Sequence, residues 1–345
     1  MKKLAVLATV AVVLGVACTS GGGDDGSASD PSTADGPVES SPSDAPDSEI
    51  LHIATLNVLH GIDPSICPPA TDACAAPARL DFLFEEIEAS GCPEIVGLQE
   101  IGPRQTELVP ERLPDLCDGA YDLVFTPEGE PHNTLDQEMV LTSLPVLDES
   151  FIDLAGFPWG AQYVRVDSAL GPVDVVTTHL ASSSNNPGCD ATNCPQPLCE
   201  NGLETGTCQA RELLAFLDGV PSPADLTVIT GDLNQPVDHP RITTFLDAGF
   251  EDTWTQGGNP ECDPATGEGC TCCVGTGGVL GDLGDPSQVY DSRIDFVLVR
   301  GTGSCTPRID PSRTGPFAAE PAPEPVDGVV WASDHGGVQA AVACR

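Results

Sequence analysis

Five short polar motifs, each at the end of an apolar run with strand character, constrain the fold of this chain more than any other feature. In chain order they are Thr55-Leu56-Asn57-Val58-Leu59-His60, Gly97-Leu98-Gln99-Glu100, Thr177-Thr178-His179-Leu180, Gly231-Asp232-Leu233-Asn234 and Ser333-Asp334-His335. One such motif alone carries little information, because an Asp or Asn at a strand end is usually a turn former. Their ordered combination predicts strand ends that converge on one polar site.

The amino-terminal residues carry signals for export rather than for folding. Met1-Lys2-Lys3 precedes an apolar run too short to span a bilayer, so residues 1–17 are predicted to be a secretory signal peptide. The run ends in Gly15-Val16-Ala17-Cys18, which is close to a bacterial lipobox. We expect lipidation of Cys18 and a membrane-anchored lipoprotein of the cell envelope. The alternative is ordinary signal cleavage nearby and an extracellular protein.

The segment after the lipobox has the composition of a spacer. Residues 18–49 are mostly Ser, Gly, Asp, Pro, Ala and Thr, and they contain no basic residue. Such a segment cannot bury enough apolar surface to fold, so we predict a disordered acidic linker. Strand patterns begin at Ile50 and continue to Val342, which predicts a single folded domain over residues 50–345.

The net charge and the distribution of lysine restrict the reactions and partners that the protein can have. The formal net charge is −40 and no lysine follows Lys3, which excludes Schiff-base chemistry and a phosphate-loop lysine in the exported protein. The acidic body repels polyanions, so we expect no stable nucleic-acid complex, and we expect a monomer. A nuclease activity stays open, because bound divalent cations make a site locally positive.

Export out of the reducing cytoplasm makes disulfides the default state of the cysteines other than Cys18. Three nearby pairs are plausible: Cys67 with Cys74, Cys92 with Cys117, and Cys305 with Cys344. Zinc is the rival interpretation for two clusters, which are Cys189, Cys194, Cys199 and Cys208, and Cys262, Cys270, Cys272 and Cys273. The sequence alone does not fix the connectivity.

Strand and helix patterns alternate along the domain. Helices are predicted at Arg79–Ala89, Gln105–Leu116, Gln209–Leu217 and His239–Leu246. Strands are predicted at Leu51–Val58, Pro93–Leu98, Tyr121–Phe125, Glu138–Leu141, Gln162–Val166, Val173–Thr178, Leu226–Thr230, Arg293–Val299 and Val338–Val342. This order predicts an α/β fold of two packed sheets with helices outside, four layers in all. The Gly- and Cys-rich stretch Thr255–Ser287 is expected to be a disulfide-stapled loop insertion.

The five motifs together resemble the endonuclease/exonuclease/phosphatase superfamily, which has the deoxyribonuclease I-like fold. The resemblance extends from about Leu51 to the carboxyl terminus and includes Asp252-Thr253-Trp254 and the segment from Arg293 to Val299. It implies a hydrolase for phosphate esters, with a phosphodiester as the first choice. The substrate alternatives are nucleic acid, a phospholipid head group and a smaller organic phosphate.

The resemblance implies a Mg²⁺ or Mn²⁺ cofactor, which suits the chemistry. A hard cation neutralises charge on phosphate oxygens and prefers oxygen ligands. Glu100 would be its principal ligand. Asn57 and Asp334 would help to hold or position the ion, directly or through water.

The resemblance also assigns the groups that move protons and contact phosphate. Asp232 would orient or deprotonate the attacking water, and Asn234 would donate a hydrogen bond to the phosphate. His335 would contact the phosphate or transfer a proton, with Asp295 fixing its ring tautomer. His179 would stabilise the phosphoryl oxygens from the other side.

The chain departs from the family at one cation. Ser143 stands in Leu141-Thr142-Ser143-Leu144-Pro145-Val146, where many members carry an Arg that meets the phosphate. The pair Gln137-Glu138 also replaces a common Gly-Asn. We expect Arg165 or Arg104 to supply the missing charge.

A few aromatic and histidine side chains complete the candidate set. Trp331 is expected at the mouth of the site in contact with substrate, whereas Trp254 is expected to pack in the core. His60 and His132 are given no role. The alternative to an enzyme is a disulfide-stapled surface binding protein that keeps the fold without turnover.

Overall fold

A computed structural model describes residues 49–61, 66–125, 137–156, 160–182, 188–273 and 279–345. The predicted signal peptide, Cys18 and almost all of the predicted linker lie outside the described residues, as does His132. The described residues belong to one compact unit. Within the described ranges, no helix has the length and hydropathy required to span a bilayer.

Two mixed sheets form the centre of the described structure. The first contains β1 (Leu51–Asn57), β2 (Ile95–Ile101), β3 (Asp122–Phe125), β4 (Gln137–Thr142), β11 (Pro307–Ile309), β12 (Gly315–Phe317) and β13 (Gly337–Cys344). The second contains β5 (Val146–Asp153), β6 (Gly160–Ser168), β7 (Gly171–His179), β8 (Leu226–Asp232), β9 (Glu251–Asp252) and β10 (Asp295–Gly301). Strand order is β11-β13-β1-β2-β4-β3 in the first sheet, with β12 beside β13, and β5-β6-β7-β8-β10-β9 in the second.

The helices are α1 (Asp72–Ala89), α2 (Pro103–Arg112), α3 (Thr205–Gly219), α4 (Pro240–Asp247), α5 (Thr253–Gln256) and α6 (Val279–Leu283). Helix α1 packs on the first sheet, because Leu83 and Ile87 share a buried cluster with Leu56 and Leu98. On the second sheet, α3 and α4 share a separate buried cluster with residues of β7, β8 and β10. The helices therefore form the two outer layers.

A third cluster fills the space between the sheets. It joins Ile53 and Val140 of the first sheet to Val164, Val175 and Val297 of the second. Successive side chains of a strand point to opposite faces, so the same strands feed both the inner and the outer clusters. The predicted four-layer α/β sandwich of the deoxyribonuclease I-like type is thus confirmed.

Gly97 allows the two sheets to approach closely at the centre of β2. A Cβ atom at this position would lie 2.4 Å from Thr230 Oγ1 and 2.6 Å from Thr177 Oγ1. Those two hydroxyls are 2.8 Å apart and hydrogen-bond to each other. The threonines stand just before the ends of β7 and β8, so this close approach brings the ends of the two sheets together.

The pairing directions gather particular strand ends at one edge. β1 runs parallel to β2 and antiparallel to β13, while β8 runs parallel to β7 and antiparallel to β10. The carboxyl ends of the parallel strands therefore meet the amino ends of β13 and β10. All five motifs lie along this edge.

Strand β5 and the short strands β9, β11 and β12 were not predicted. In β5, Asp148, Glu149 and Ser150 are all exposed and the strand lies at the edge of its sheet, so the sequence lacks apolar alternation. The predicted helix Gln105–Leu116 is shorter, because α2 ends at Arg112 and a turn and a 3₁₀ segment follow.

All fourteen cysteines after Cys18 lie in disulfide pairs. The pairs are Cys67–Cys74, Cys92–Cys117, Cys189–Cys194, Cys199–Cys208, Cys262–Cys270, Cys272–Cys273 and Cys305–Cys344. The three predicted pairs are confirmed, and both clusters considered for zinc are paired as disulfides. The cross-links are local and fasten loops, including the predicted insertion after α5.

Candidate active site

The first sheet contributes the carboxylate of Glu100, which is held by neighbouring hydrogen-bond donors. Glu100 lies at the bulged end of β2 with φ of 57°, and its side chain is half-buried. Asn57 Nδ2 donates to Glu100 Oε1 over 2.9 Å, and the His60 amide donates to Glu100 Oε2 over 3.1 Å. The His60 ring nitrogen Nε2 lies 3.6 Å from the same Oε2. Both carboxylate oxygens are therefore oriented.

Asn57 joins the two sheets across the site. Its Nδ2 also donates to Asp232 Oδ2 over 3.1 Å, and its Oδ1 accepts from the Leu59 amide over 3.0 Å. The amide nitrogen, which cannot bind a metal, thus faces both carboxylates. In this orientation Asn57 positions Glu100 and Asp232.

The backbone around Asp232 requires a glycine on one side. Gly231 has φ of +141°, and a Cβ there would lie 1.9 Å from Thr178 O on the neighbouring strand β7. On the other side, Asn234 has φ of 57° and its amide donates to Asp232 Oδ1 over 2.8 Å. This tight turn at the end of β8 explains the Gly and Asn of the fourth motif.

Asn234 fixes His179 by its side chain. Its Nδ2 donates to Leu180 O over 2.9 Å and lies 2.8 Å from His179 Nε2. His179 Nε2 is also 3.5 Å from Asp232 Oδ2. Both N–H bonds of the amide have partners, so in this arrangement Asn234 holds the histidine and the loop, and a phosphate contact requires one of these bonds to be exchanged.

A buried line of carboxylate, histidine and carboxylate crosses the centre of the site. His335 Nδ1 lies 3.0 Å from Asp295 Oδ2, and His335 Nε2 lies 3.8 Å from Asp232 Oδ2. Asp295 is itself held by its amide, which donates to Thr271 Oγ1 over 3.2 Å. Asp295 therefore has the position required to set the ring tautomer of His335.

Arg79 ties together the loops of the first sheet. It is fully buried, and its guanidinium donates to the carbonyls of Val58, Leu59, Ala73, Cys74 and Ala332. Ala332 precedes Ser333, whose Oγ donates to Asp334 Oδ1 over 3.2 Å. One cation thus connects the loop after β1 with the loop that carries Asp334.

Burial and neighbouring charge separate the pKa values of the acids. Burial disfavours ionisation of Glu100, but the charges of His60, His179 and His335 and the Asn57 hydrogen bond outweigh it and lower its pKa to about 2. Burial raises the pKa of Asp232 to about 6, against the opposing charges of His335 and His179. Burial also raises the pKa of Asp334, to which the nearby charge of Glu100 adds.

His335 is held in its charged form. Its burial favours the neutral ring, but Asp295 and Asp232 prevail and raise its pKa well above the usual value. The site therefore combines a charged histidine, an ionised Glu100 and an Asp232 that titrates close to neutrality. Such separated values are typical of sites for acid–base chemistry.

The donor set fits a hard divalent cation. Glu100 is ionised, and its negative charge contributes to the raised pKa of Asp334, so the two carboxylates lie close enough to interact. Among the His, Cys, Asp and Glu side chains of the described residues, neither belongs to a compact group of three ligand atoms. Mg²⁺ is usually held by one or two carboxylates, with water and substrate phosphate completing its octahedron. The residues present therefore suit Mg²⁺, which keeps water and substrate ligands, better than an ion that takes all its ligands from the protein.

The expectation for Ser143 and its substitutes is wrong. β4 runs antiparallel to β2, so Ser143, which follows β4 and donates to Glu94 O, lies at the opposite edge of the sheet from Glu100. Arg165 binds Asp174 over 2.7 Å at the far part of the second sheet, and Arg104 binds Asp72 over 2.9 Å on the surface. None of the three can place a cation in this site.

Trp331 is also misplaced by the sequence interpretation. Its side chain is only 4 % exposed, its indole Nε1 donates to Asp285 O over 2.9 Å, and its ring packs edge-on against Tyr290. It supports the loop before Asp334 from within the core. Trp254 is buried as expected.

The sequence interpretation missed His60 and Arg79. His60 stands three residues after Asn57 in the same motif, and this proximity was the available signal. Arg79 looks like an ordinary residue near a helix start, and only its burial under the two loops shows its importance.

Solved structures with the same fold are numerous, though distant in sequence. A mannosyl-6-phosphatase from Bacteroides thetaiotaomicron aligns with a TM-score of 0.61 and 13% identity, covering 85% of this chain and 99% of that one. D. rerio TDP2, complexed with a single-strand DNA product, aligns with a TM-score of 0.57 and 19% identity, covering 85% and 98%. An endonuclease/exonuclease/phosphatase from Bacteroides vulgatus aligns with a TM-score of 0.56 and 16% identity, covering 86% and 99%. These likenesses show the fold.

No curated protein sequence matches the chain. The sequence profile of the Endonuclease/Exonuclease/phosphatase family, however, matches residues 54–335. That match spans all five motifs, from the first strand to His335, and most of the chain. The chain therefore belongs to the Endonuclease/Exonuclease/phosphatase family.

Proposed function

We propose that the protein is a divalent-metal-dependent phosphoesterase that hydrolyses phosphodiester bonds by in-line attack of water. The observation that carries the proposal is the buried line of Asp295, His335 and Asp232, in which a charged histidine lies between two carboxylates. Family membership supports the reaction class, because members of this family are hydrolases of phosphoester bonds.

The first sheet would hold the cation. Glu100 and Asp334 would bind Mg²⁺ or Mn²⁺, and Asn57 keeps the Glu100 carboxylate turned toward the site. When bound, the ion supplies positive charge for the nonbridging and leaving oxygens of the phosphate. His60 restrains the second oxygen of Glu100 through its amide.

The second sheet would handle the attacking water. Asp232 accepts a proton more readily than an exposed aspartate, because its pKa is raised to about 6. The Asn234 amide and Asn57 Nδ2 each bind one of its oxygens, so the carboxylate is fixed in direction. It can therefore hold a water in line and take its proton.

The two histidines would face the phosphoryl group. His335, kept protonated by Asp295, can donate from Nε2 to a phosphate oxygen and stabilise its charge. His179, held by Asn234, has its Nε2 3.5 Å from the same Asp232 oxygen that lies 3.8 Å from His335 Nε2. Together they would supply the positive charge that Arg165 or Arg104 was expected to bring.

The substrate class stays a proposal among three. Two structural relatives are a sugar phosphatase and a protein bound to a single-strand DNA product, so the fold serves both small and polymeric phosphates. The net charge of −40 disfavours tight binding of a long polyanion. A phospholipid head group or a small phosphodiester fits this charge better than nucleic acid.

Hydrolysis of two chromogenic esters tests the reaction. We expect the purified full chain to release nitrophenol from bis-p-nitrophenyl phosphate with Mg²⁺ or Mn²⁺ and to lose this activity in EDTA. Glu100→Ala and His335→Ala should each lower the rate by about 100-fold or more. Glu107→Ala, which removes an exposed carboxylate of α2, is the matched control.

Three outcomes are distinguishable. Release from the monoester alone would make the protein a phosphatase. Wild-type turnover in both site variants, with unchanged circular dichroism, would overturn the site assignment. No turnover of either ester with any metal, in a folded sample, would favour the binding-protein alternative.

We propose further that the protein works outside the cytoplasm, anchored through Cys18. The lipobox-like Gly15-Val16-Ala17-Cys18 supports the anchor, and the pairing of all later cysteines supports an oxidising compartment. We expect the wild type to partition into detergent with the membrane fraction and Cys18→Ser to be released. Equal partitioning of the two would refute the anchor.

A further inference from the structure

Two consecutive cysteines lie against the candidate catalytic histidine. Cys272 Sγ is 3.6 Å from His335 Nε2, and Cys273 Sγ is 3.9 Å from the same nitrogen. The two sulfurs are bonded to each other in a disulfide. Cys272 is buried and Cys273 is half-buried, so the pair borders on solvent. The proposed hydrolysis uses neither sulfur.

Backbone hydrogen bonds hold this pair in place. The amides of Thr271 and Cys272 both donate to Ser292 O over 2.8 Å, and the Ser292 amide donates to Cys272 O over 2.7 Å. On the other side, the Gly336 amide donates to Thr271 O over 2.6 Å. The segment is thus bound to the residues that flank Asp295 and His335. None of these bonds depends on the disulfide, so opening it leaves Cys272 beside the histidine, and Cys273 stays joined to it through the peptide bond.

The separations match those of a tetrahedral metal site. With metal–sulfur and metal–nitrogen bonds of about 2.3 and 2.0 Å, a sulfur and a nitrogen on one tetrahedral zinc ion lie about 3.5 Å apart. The observed separations are 3.6 and 3.9 Å. The three ligand atoms lie within 4.8 Å of one another. Only the two sulfurs have to move apart.

The ligand types select a different ion from that of the hydrolytic centre. Thiolate and imidazole suit Zn²⁺ and Co²⁺, whereas the carboxylates Glu100 and Asp334 suit Mg²⁺ or Mn²⁺. A disulfide sulfur is a poor ligand, because metals bind the thiolate. The redox state of the pair therefore decides whether the softer site exists.

We propose that Cys272 and Cys273, when reduced, bind Zn²⁺ together with His335 Nε2, and that the disulfide form does not. A dithiol reductant breaks the S–S bond by exchange, delivers two electrons and two protons to the sulfurs, and is oxidised to its own disulfide. Zn²⁺ then displaces both thiol protons and the Nε2 proton of His335, which pass to solvent. Three protein–metal bonds form, and water completes the tetrahedron.

Occupancy would stop hydrolysis, because His335 Nε2 can no longer donate to a phosphate oxygen. Binding itself does not depend on the proposed hydrolysis, whereas the inhibition does. A metal readout and an activity readout therefore separate the two ideas.

Cobalt absorption tests the site directly. The full chain is treated with increasing dithiothreitol, desalted without oxygen and given Co²⁺ alone. We expect a sulfur-to-cobalt charge-transfer band in the reduced wild type and no such band in the oxidised protein. The band should be lost in the double variant Cys272→Ser/Cys273→Ser. Co²⁺ at the carboxylate centre has no sulfur ligand and gives no such band.

The double variant also controls for the other cysteines. It retains Cys189, Cys199 and Cys208, which form a second compact group, so a band from that group would appear in both proteins. Should the double variant fail to fold, Cys273→Ser alone changes only the half-buried residue and should still remove most of the band. An equal band in wild type and variant overturns the proposal.

Alkylation and mass spectrometry show when the pair opens. If Cys272 and Cys273 stay oxidised until circular dichroism shows unfolding, the folded protein cannot form the reduced site and the proposal fails. In the activity arm, Zn²⁺ should inhibit the reduced wild type and spare the reduced double variant in the presence of Mn²⁺. If the cobalt band appears but neither the oxidised nor the reduced protein hydrolyses the diester, the metal site is supported and the proposed function is refuted.

Discussion

The two sheets contribute different chemistry to one site. The first sheet supplies Glu100 and Asp334, which suit a hard cation, and Asn57, which positions Glu100. The second sheet supplies Asp232, His179 and Asn234, which suit water and phosphate. Two residues cross between the sheets: Asn57 donates to Asp232, and His335, which precedes β13 of the first sheet, lies beside Asp295 and Asp232 of the second. The difference teaches that neither sheet carries a complete site. The proposed hydrolysis therefore depends on how the two sheets are placed relative to each other.

In each half, a buried arginine also holds a loop of the site. Arg79 donates to carbonyls of the loops after β1 and before β13. On the other side, Arg241 donates to Leu233 O over 2.7 Å, directly after Asp232, and pairs with Glu204. Gly206 makes room for it, since a Cβ there would lie 2.1 Å from the guanidinium carbon. The different roles of the two sheets can therefore be tested by substituting the reacting groups and by substituting the arginines that hold their loops.

Asp232→Asn should have the largest effect. We expect the rate to fall by about 10²–10⁴-fold, because the variant loses the group that accepts the proton from water. Asp232 must be ionised to act, and its pKa is about 6, so wild-type activity should be present above pH 6 and lost as pH falls through that value. The variant's residual rate should lack this acid limb. A pH profile of diester hydrolysis checks both, and an unchanged limb in the variant would assign it to another group.

Glu100→Gln should act on the metal rather than on the proton. We expect the Mg²⁺ concentration for half-maximal rate to rise by about 10–100-fold, because a charged ligand becomes a neutral one of the same shape. Its pH profile should keep the acid limb of the wild type. A metal titration at fixed substrate measures the change, and a shifted acid limb with unchanged metal requirement would reverse the assignment of the two sheets.

Arg79→Met should change stability and metal requirement together. The variant leaves several buried carbonyls without a donor, so we expect the free energy of unfolding to fall by about 1–3 kcal/mol or more. Arg241→Met should cost stability as well, but without raising the metal requirement. Urea unfolding and metal titration measure the two effects. Arg112→Met is the control, because its side chain is only half-buried and pairs with Asp81 at the surface.

Ser143→Arg should have the smallest effect. Position 143 is exposed and lies at the opposite edge of the first sheet from Glu100, so we expect activity and stability to stay within about 0.5 kcal/mol of wild type. Initial rates with the diester provide the measurement. A several-fold gain would mean that the arginine reaches the phosphate after all.

The motifs predicted the fold class and the group of residues that the structure brings together, because polar residues at strand ends report directly on the strands that precede them. Their individual roles stay predictions. Ser143 was misjudged because the edge at which a strand ends depends on its pairing direction, which a local pattern does not contain. Trp331 was misjudged because a tryptophan beside a motif looks the same whether it faces the core or the solvent. Arg79 was missed because its burial depends on two loops that are distant in sequence.

The position of β13 fixes when the candidate site can be complete. This strand lies in the interior of the first sheet, between β11 and β1, where Leu51 pairs with Val342. A chain made from its amino terminus exposes the open edge of β1 until β13 has been synthesised. Asp334 and His335 arrive with the same segment. The first sheet and the candidate site are therefore completed by the same late segment of the chain, and neither can form before that segment has been made.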